Sequence, residues 1–138
     1  MADDLTAKLG KIDLFSGFSS RALRRLAQGG KEVDHPAGRA VAVEGKGSLA
    51  FHLVLEGTAD VDIAGSHRRE LHAGDYFGEI SLLDGRPRSA TVRAGDHGLR
   101  TFALSAFEFQ KMLDAHPDAM RSLLVALCGR LRSVEAQD

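Results

Sequence analysis

Between residues 29 and 98, glycine recurs at intervals of at most ten positions, and twelve of the 15 glycines in this chain of 138 residues fall in that stretch. Glycine supplies the positive-φ backbone that tight turns demand, so this spacing favours short strands joined by sharp turns. The residues between the glycines agree. Apolar-rich runs at 40–43, 51–55, 59–63, 68–71, 90–94 and 99–104 alternate with turn signals at 35–38, 44–47, 56–57, 64–66, 73–75 and 95–98. Strands punctuated at such intervals predict a sandwich or barrel.

The flanks read differently. Leu5, Leu9, Ile12, Leu23 and Leu26 recur at helical spacing, interrupted at 15–20, where Ser19 or Ser20 can cap a second helix. Helical texture returns at residue 105, and His116-Pro117 breaks it. In the last helix Met120, Leu124, Leu127, Leu131 and Val134 repeat with 4-3-4-3 spacing, an apolar stripe, while Leu123, Ala126 and Arg130 lie on a neighbouring face. The expectation is one domain over 1–138, mainly β with flanking helices: helices at about 5–28, strands at about 33–104 and helices at about 105–135.

Composition narrows the function classes. Hydrophobic residues make up 43%, too many for a disordered chain. Net charge is −1, and the one dense cationic group, Arg21, Arg24 and Arg25, fits a solvated helix face, so direct nucleic-acid binding is not expected. Cys128 is the only cysteine, which fits a reducing compartment. No apolar run approaches the length of a membrane span, and the chain opens on Met1-Ala2-Asp3-Asp4 without an apolar leader, so a cytoplasmic protein is expected. His35, His52, His67, His72, His97 and His116 contain no close His-x-His pair that a metal-binding barrel would need. No nucleophile triad, P-loop or zinc signature appears either. Catalysis, metal and cofactor are therefore not expected.

One segment stands apart. Phe77-Gly78-Glu79-Ile80-Ser81-Leu82-Leu83 is an apolar turn carrying an acid, and Arg86-Pro87-Arg88-Ser89-Ala90-Thr91-Val92 carries an arginine into a strand pattern. A guanidinium meets a phosphate with two parallel donors and does not titrate off. An ionised carboxylate only accepts, which suits a sugar hydroxyl. Gly78 admits close backbone approach, and small Ala90 leaves room. On spacing alone, an ordinary surface salt bridge between Glu79 and Arg88 fits equally well.

These two stretches resemble the phosphate-binding cassette (here 77–92) of the cyclic nucleotide-binding domain family, which includes bacterial catabolite activators, regulatory subunits of cAMP-dependent kinase and gated channels. Pro36-Ala37-Gly38, Val43-Glu44-Gly45, Leu53-Val54-Leu55-Glu56-Gly57 and Leu71-His72-Ala73-Gly74-Asp75-Tyr76 extend the resemblance in order, over about residues 10–134. His52 departs from it, standing where an aromatic residue is usual. The resemblance implies an eight-stranded, jelly-roll-like β-roll with N-terminal helices and a C-terminal lid helix. It implies that Glu79 takes the ribose 2′-hydroxyl and Arg88 the cyclic phosphate. Phe77, Gly78, Ile80, Ser81, Ser89 and Ala90 complete the site, with Leu123, Leu127 and Arg130 as lid positions. The ligand expected is cAMP in preference to cGMP, although a hydroxyl such as Ser89 after the cassette arginine favours guanine in some relatives. The expected mode is a stand-alone regulatory module signalling by movement of its last helix, with a homodimer or effector protein meeting Leu124, Leu127 and Leu131. The alternative is a ligand-free interaction domain of the same fold.

Overall fold

The computed structural model describes residues 2–42, 50–84, 86 and 90–136. It divides into two compact units, Gly30–Ala106 and Met1–Gly29 with Phe107–Asp138. The first unit is the sheet. Its strands are β1 (Lys31–His35), β2 (Ala40–Ala42), β3 (Ala50–Ile63), β4 (Ser66–Leu71), β5 (Tyr76–Phe77) and β6 (Thr91–Ser105). The order is β1-β6-β3-β4, with β2 on β6 and β5 on β3, and every pairing is antiparallel.

Several predicted turns form as the residues dictate. Ala64 (φ 53°) and Gly65 (φ 81°) close the β3–β4 hairpin with the two positive φ angles that match strand twist. Gly74 (φ 96°) closes the turn before β5, where the His72 N–H donates to Asp75 Oδ2 at 2.8 Å. The turn expected at 44–47 lies outside the described residues.

Two predicted turns are corrected. Residues 56–57 and 95–98 do not separate strands; they bend continuous ones. β3 and β6 pair from Ala50↔Ser105 to Asp62↔Thr91, with the register slipping between Val54 and Glu56 and again between Gly57 and Ala59. Between the pairs Gly57↔Leu99 and Ala59↔Ala94, one residue of β3 faces four of β6, and the extra residues bulge out. Gly57 and Gly98 both sit at φ 83°, and a Cβ at Gly57 would run into the Gly98 carbonyl. Glycine is therefore required for close backbone approach as well as for φ. Counted by arms, the bent β3 and β6 supply two each, so among the described residues six strands give eight arms.

Alternation along the arms sorts the residues. Val54, Ala59, Val61, Leu71, Phe77, Val92, Ala94 and Leu99 form one buried cluster, with Val41 and Ala90 packed against it. Each valine, leucine or phenylalanine of this cluster contributes about 1.5–3 kcal/mol when taken fully out of water.

The second unit is helical: α1 (Ala2–Gly10), a 3₁₀ turn (Asp13–Phe15), α2 (Ser20–Gly29), α4 (Ala106–Ala115) and α5 (Pro117–Ala136), while α3 (Glu79–Asp84) belongs to the sheet unit. Ser19 caps α2, its Oγ accepting from the Ala22 N–H at 3.1 Å. Pro117 opens α5, where its missing N–H costs nothing. Phe15 packs against Phe18 and Phe109, with ring centroids 5.3 and 6.1 Å apart. Arg25 Nη2 meets Glu108 Oε2 at 3.2 Å, so this member of the arginine cluster is paired.

Candidate ligand site

The site is built where β5 hands over to α3 (Glu79–Asp84). Gly78 lies between them at φ 85°, a conformation that a β-carbon would strain by about 1–2 kcal/mol. That turn reverses the chain so that Glu79 opens the helix, and the Leu82 N–H donates back to the Gly78 carbonyl at 3.1 Å. At the far end of α3, Asp84 Oδ1 accepts from the Arg86 N–H at 2.9 Å, which closes the helix and starts the return toward β6.

This handover forms one wall of a cleft of about 250 Å³. Phe77, Gly78, Glu79, Ile80 and Ser81 line that wall, joined by Ala90 just before β6. All six are residues the sequence nominated. The other two nominated cassette residues, Arg88 and Ser89, lie outside the described residues, as does Pro87.

The opposite wall was not anticipated. Val61, Ile63, Arg69 and Val92 line it from β3, β4 and β6. Val61 pairs directly with Arg69 on one side and Val92 on the other, so the three form a single row across three strands. The signal was in the alternation of β3, which puts Ala59, Val61 and Ile63 on one face. What the strand pattern lacked was the register that turns this face toward α3.

Val61, Phe77 and Val92 are also core residues, so the cleft floor is the surface of the packed cluster. Ser81 is buried, whereas Ile80 is 62% exposed and stands free to cover something. An apolar floor with a carboxylate and a small-residue strand entry at one end can take a flat ring on the floor and a polar group at the end.

The floor is braced from behind. His52 stacks on Phe77, with centroids 4.8 Å apart and planes 11° from parallel, so it fills the place of the usual aromatic residue. His52 Nδ1 and His35 Nε2 each lie 3.0 Å from the hydroxyl of Thr101, which is completely buried. A hydroxyl has one proton to give, so the pairing is satisfied when one ring nitrogen accepts and the other donates. Burial pushes the His35 pKa below its ordinary value; Asp34 opposes this shift and Arg39 adds to it.

A second, larger cleft of about 520 Å³ opens beside Asp34, His35, Glu56, His97 and Arg100. Its cation is engaged. Arg100 Nη2 meets Glu32 Oε2 at 2.7 Å, and Nη1 lies 3.8 Å from Asp34 Oδ1. The hydrogen bond to Glu32, then the charge of Asp34, raises the pKa of Arg100. Among the described residues, no group of three His, Cys, Asp or Glu side chains is placed to hold a metal ion.

On α5, Leu123 is buried and Leu127 half-buried. Arg130 is held by Asp13, with Nε to Oδ2 at 2.8 Å and Nη2 to Oδ1 at 2.9 Å. Leu124 and Leu131 are 57% and 60% exposed, and no described helix is long and apolar enough to cross a membrane.

With this geometry in hand, the likenesses to known proteins decide the family. Residues 32–116 match the sequence pattern of the cyclic nucleotide-binding domain. The chain belongs to the cyclic nucleotide-binding domain family. A cAMP-dependent protein kinase regulatory subunit of Emericella nidulans is 31% identical over 117 residues, covering 83% of this chain and 28% of that protein. A cyclic nucleotide-gated potassium channel of Rhizobium etli is 30% identical over 112 residues, covering 81% of this chain and 31% of that protein. The chain thus spans under a third of the length of these relatives. Among solved structures, the N-terminal domain of a transcriptional regulator from Streptomyces coelicolor shares the fold, with a TM-score of 0.85, 24% identity and coverage of 95% and 94% of the two chains. A cyclic nucleotide-binding-like protein from Brucella abortus has a TM-score of 0.74, 27% identity and coverage of 81% and 99%. The antiparallel roll with flanking helices is the fold of this family.

Proposed function

We propose that this chain is a cytoplasmic, non-catalytic regulatory module that binds cAMP in preference to cGMP and signals through α5. The observation that carries the reading is the gathering of Gly78, Glu79, Ser81 and Ala90 around one apolar-floored cleft, in a chain of this family. Glu79 accepts the ribose 2′-hydroxyl. Arg88 takes the cyclic phosphate with a bidentate, charge-assisted pair, helped by the Ser89 hydroxyl and the adjacent backbone N–H groups. The preference for cAMP is supported by the relatives named for it.

Ligand favours whichever placement of α5 it contacts better, and only that difference in affinity moves the helix. Leu123, Leu127 and Arg130 are the lid positions. Arg130 is paired with Asp13, so to serve as one it must exchange that partner. The stripe through Leu124, Leu127 and Leu131 is the partner surface, for a second copy or an effector protein. Sedimentation with and without cAMP tests it: a ligand-dependent change in association supports the surface, and a monomer under both conditions at high concentration argues against the second copy.

Calorimetric titration with cAMP, cGMP and 5′-AMP tests the function itself. Saturable cAMP binding, with 5′-AMP much weaker, is the expected result. No heat and no thermal shift with any of the three would leave the ligand-free interaction domain instead.

A further inference from the structure

We infer that His35, Thr101 and His52 form an acid-sensitive clasp: the folded sheet holds one protonated histidine of this pair and opens at β1 to take the second. The device does not depend on what the cassette cleft binds.

The register brings the three together. Thr101 on β6 lies between Val33 of β1 and Val54 of β3. Side chains two apart on a strand share a face, so His35 and His52 are diagonal neighbours of Thr101 on its own face. Phe77 stands directly opposite His52 on β5 and continues the row. A phenyl ring at position 52 would offer no nitrogen; the histidine is what makes the row titratable.

The limit is set by the hydroxyl. Thr101 is completely buried, and its Oγ1 lies 3.0 Å from both His35 Nε2 and His52 Nδ1. A hydroxyl has one proton to give. With both rings neutral, it accepts from one nitrogen and donates to the other. One proton from solvent is absorbed without loss: the charged ring donates, and the hydroxyl turns its own proton to the neutral ring. A second proton leaves both nitrogens donating. The Thr101 proton then has no acceptor in the row, and a buried donor left unpaired carries its full desolvation cost. The two charged rings would also sit with centroids 5.9 Å apart, close enough to repel each other.

The surrounding charges divide. Burial, more than any charge, disfavours a proton on His35; Asp34 opposes that effect and Arg39 adds to it. Glu56 of β3 and His97 and Arg100 of β6 line the cleft beside it, the acid favouring a charge and the two bases opposing one. On the other side, His52 meets the uncharged ring of Phe77.

The sheet gives way at β1. That strand ends the β1-β6-β3-β4 order, and His35 is its half-buried last residue, whereas His52 and Thr101 are buried. Opening there hands His35 to water and leaves Thr101 to His52. Only Gly30 separates β1 from α2, so acid loosens the strand through which α2 joins the sheet.

The test uses the whole chain with isotope-labelled histidine and no nucleotide, so its outcome is separate from that of the cyclic-nucleotide reading. Long-range proton–nitrogen NMR reports whether each ring nitrogen is bare or protonated, and amide hydrogen exchange reports on β1. From neutral pH through the first protonation, one of His35 Nε2 and His52 Nδ1 should stay bare. The second protonation should follow at least about one pH unit lower. Below the first step, protection of the hydrogen-bonded β1 amides should fall about tenfold per pH unit, the dependence of an opening that gains one proton. In His35→Gln, whose side-chain amide can both donate and accept, that fall should disappear. Thr101→Ser keeps the hydroxyl and should behave as the wild type. Both nitrogens protonated with β1 still protected would overturn the inference. So would a single step in which both rings take up protons together, or a fall in protection that persists undiminished in His35→Gln.

Discussion

Two clefts among the described residues of the sheet unit differ in character, and the smaller is the one proposed here to take the ligand. The larger one, about 520 Å³, is ringed by Asp34, His35, Glu56, His97 and Arg100, but its arginine is already engaged by Glu32 and Asp34. The smaller, about 250 Å³, has a floor of core side chains, a glycine at positive φ and an exposed Ile80. Paired charges at a surface satisfy one another and leave little to offer a ligand. An apolar floor with a few polar groups at its edge gains from being covered. Volume ranks these clefts one way and chemistry the other, and chemistry is the guide to function.

The two are not independent. His35 lines the larger cleft, Phe77 the smaller, and His35–Thr101–His52 links them through a buried hydroxyl and a ring stack. Variants on either side can break or sharpen the contrast.

Arg88→Ala should have the largest effect. Removing one partner of a hydrogen-bonded charge pair costs about 2–5 kcal/mol, so cAMP affinity should fall by about 30-fold to several-thousand-fold by calorimetry. Glu79→Ala comes next. A hydrogen bond to a charged group contributes about 1.5–3 kcal/mol, so a loss of roughly 10- to 150-fold is expected, smaller with Glu79→Gln.

The His35 link should appear in stability rather than affinity. Its folded pKa is lowered below 6.5, so the unfolded chain binds the extra proton first as pH falls. The stability due to neutral His35 is complete above about pH 6.5 and is lost progressively as pH drops toward the folded pKa. Melting temperature against pH should decline in that window, and His35→Gln should flatten the decline. Arg100→Ala should have the smallest effect. Its ion pairs are at the surface, and cAMP affinity should match the wild type; a drop comparable to that of Glu79→Ala would move the site to the larger cleft.

Much of this was legible in the residues. The texture of strands and turns came from the glycines, and five of the eight nominated residues, 77–81, line one cleft because they are contiguous around a single strand-to-helix turn, with Ala90 joining them just before β6. Two things were not legible. Gly57 and the 95–98 segment carry turn signals that serve equally well as bulges, and only pairing with a distant strand distinguishes the two. Arg69 gave no signal of its own, because its place opposite Val61 depends on a register set by the β3–β4 hairpin. Local pattern reports which face a residue takes; it does not report what that face meets.

The contrast between the clefts is tested most directly by following backbone amide NMR signals during titration with cAMP. Shifts should concentrate at Val61, Gly78, Glu79, Ile80, Ala90 and Val92, leaving Glu56, Gly98 and Arg100 nearly unmoved. Shifts clustered on Glu56, Gly98 and Arg100, with Gly78 and Glu79 silent, would contradict the assignment of the ligand to the apolar-floored cleft.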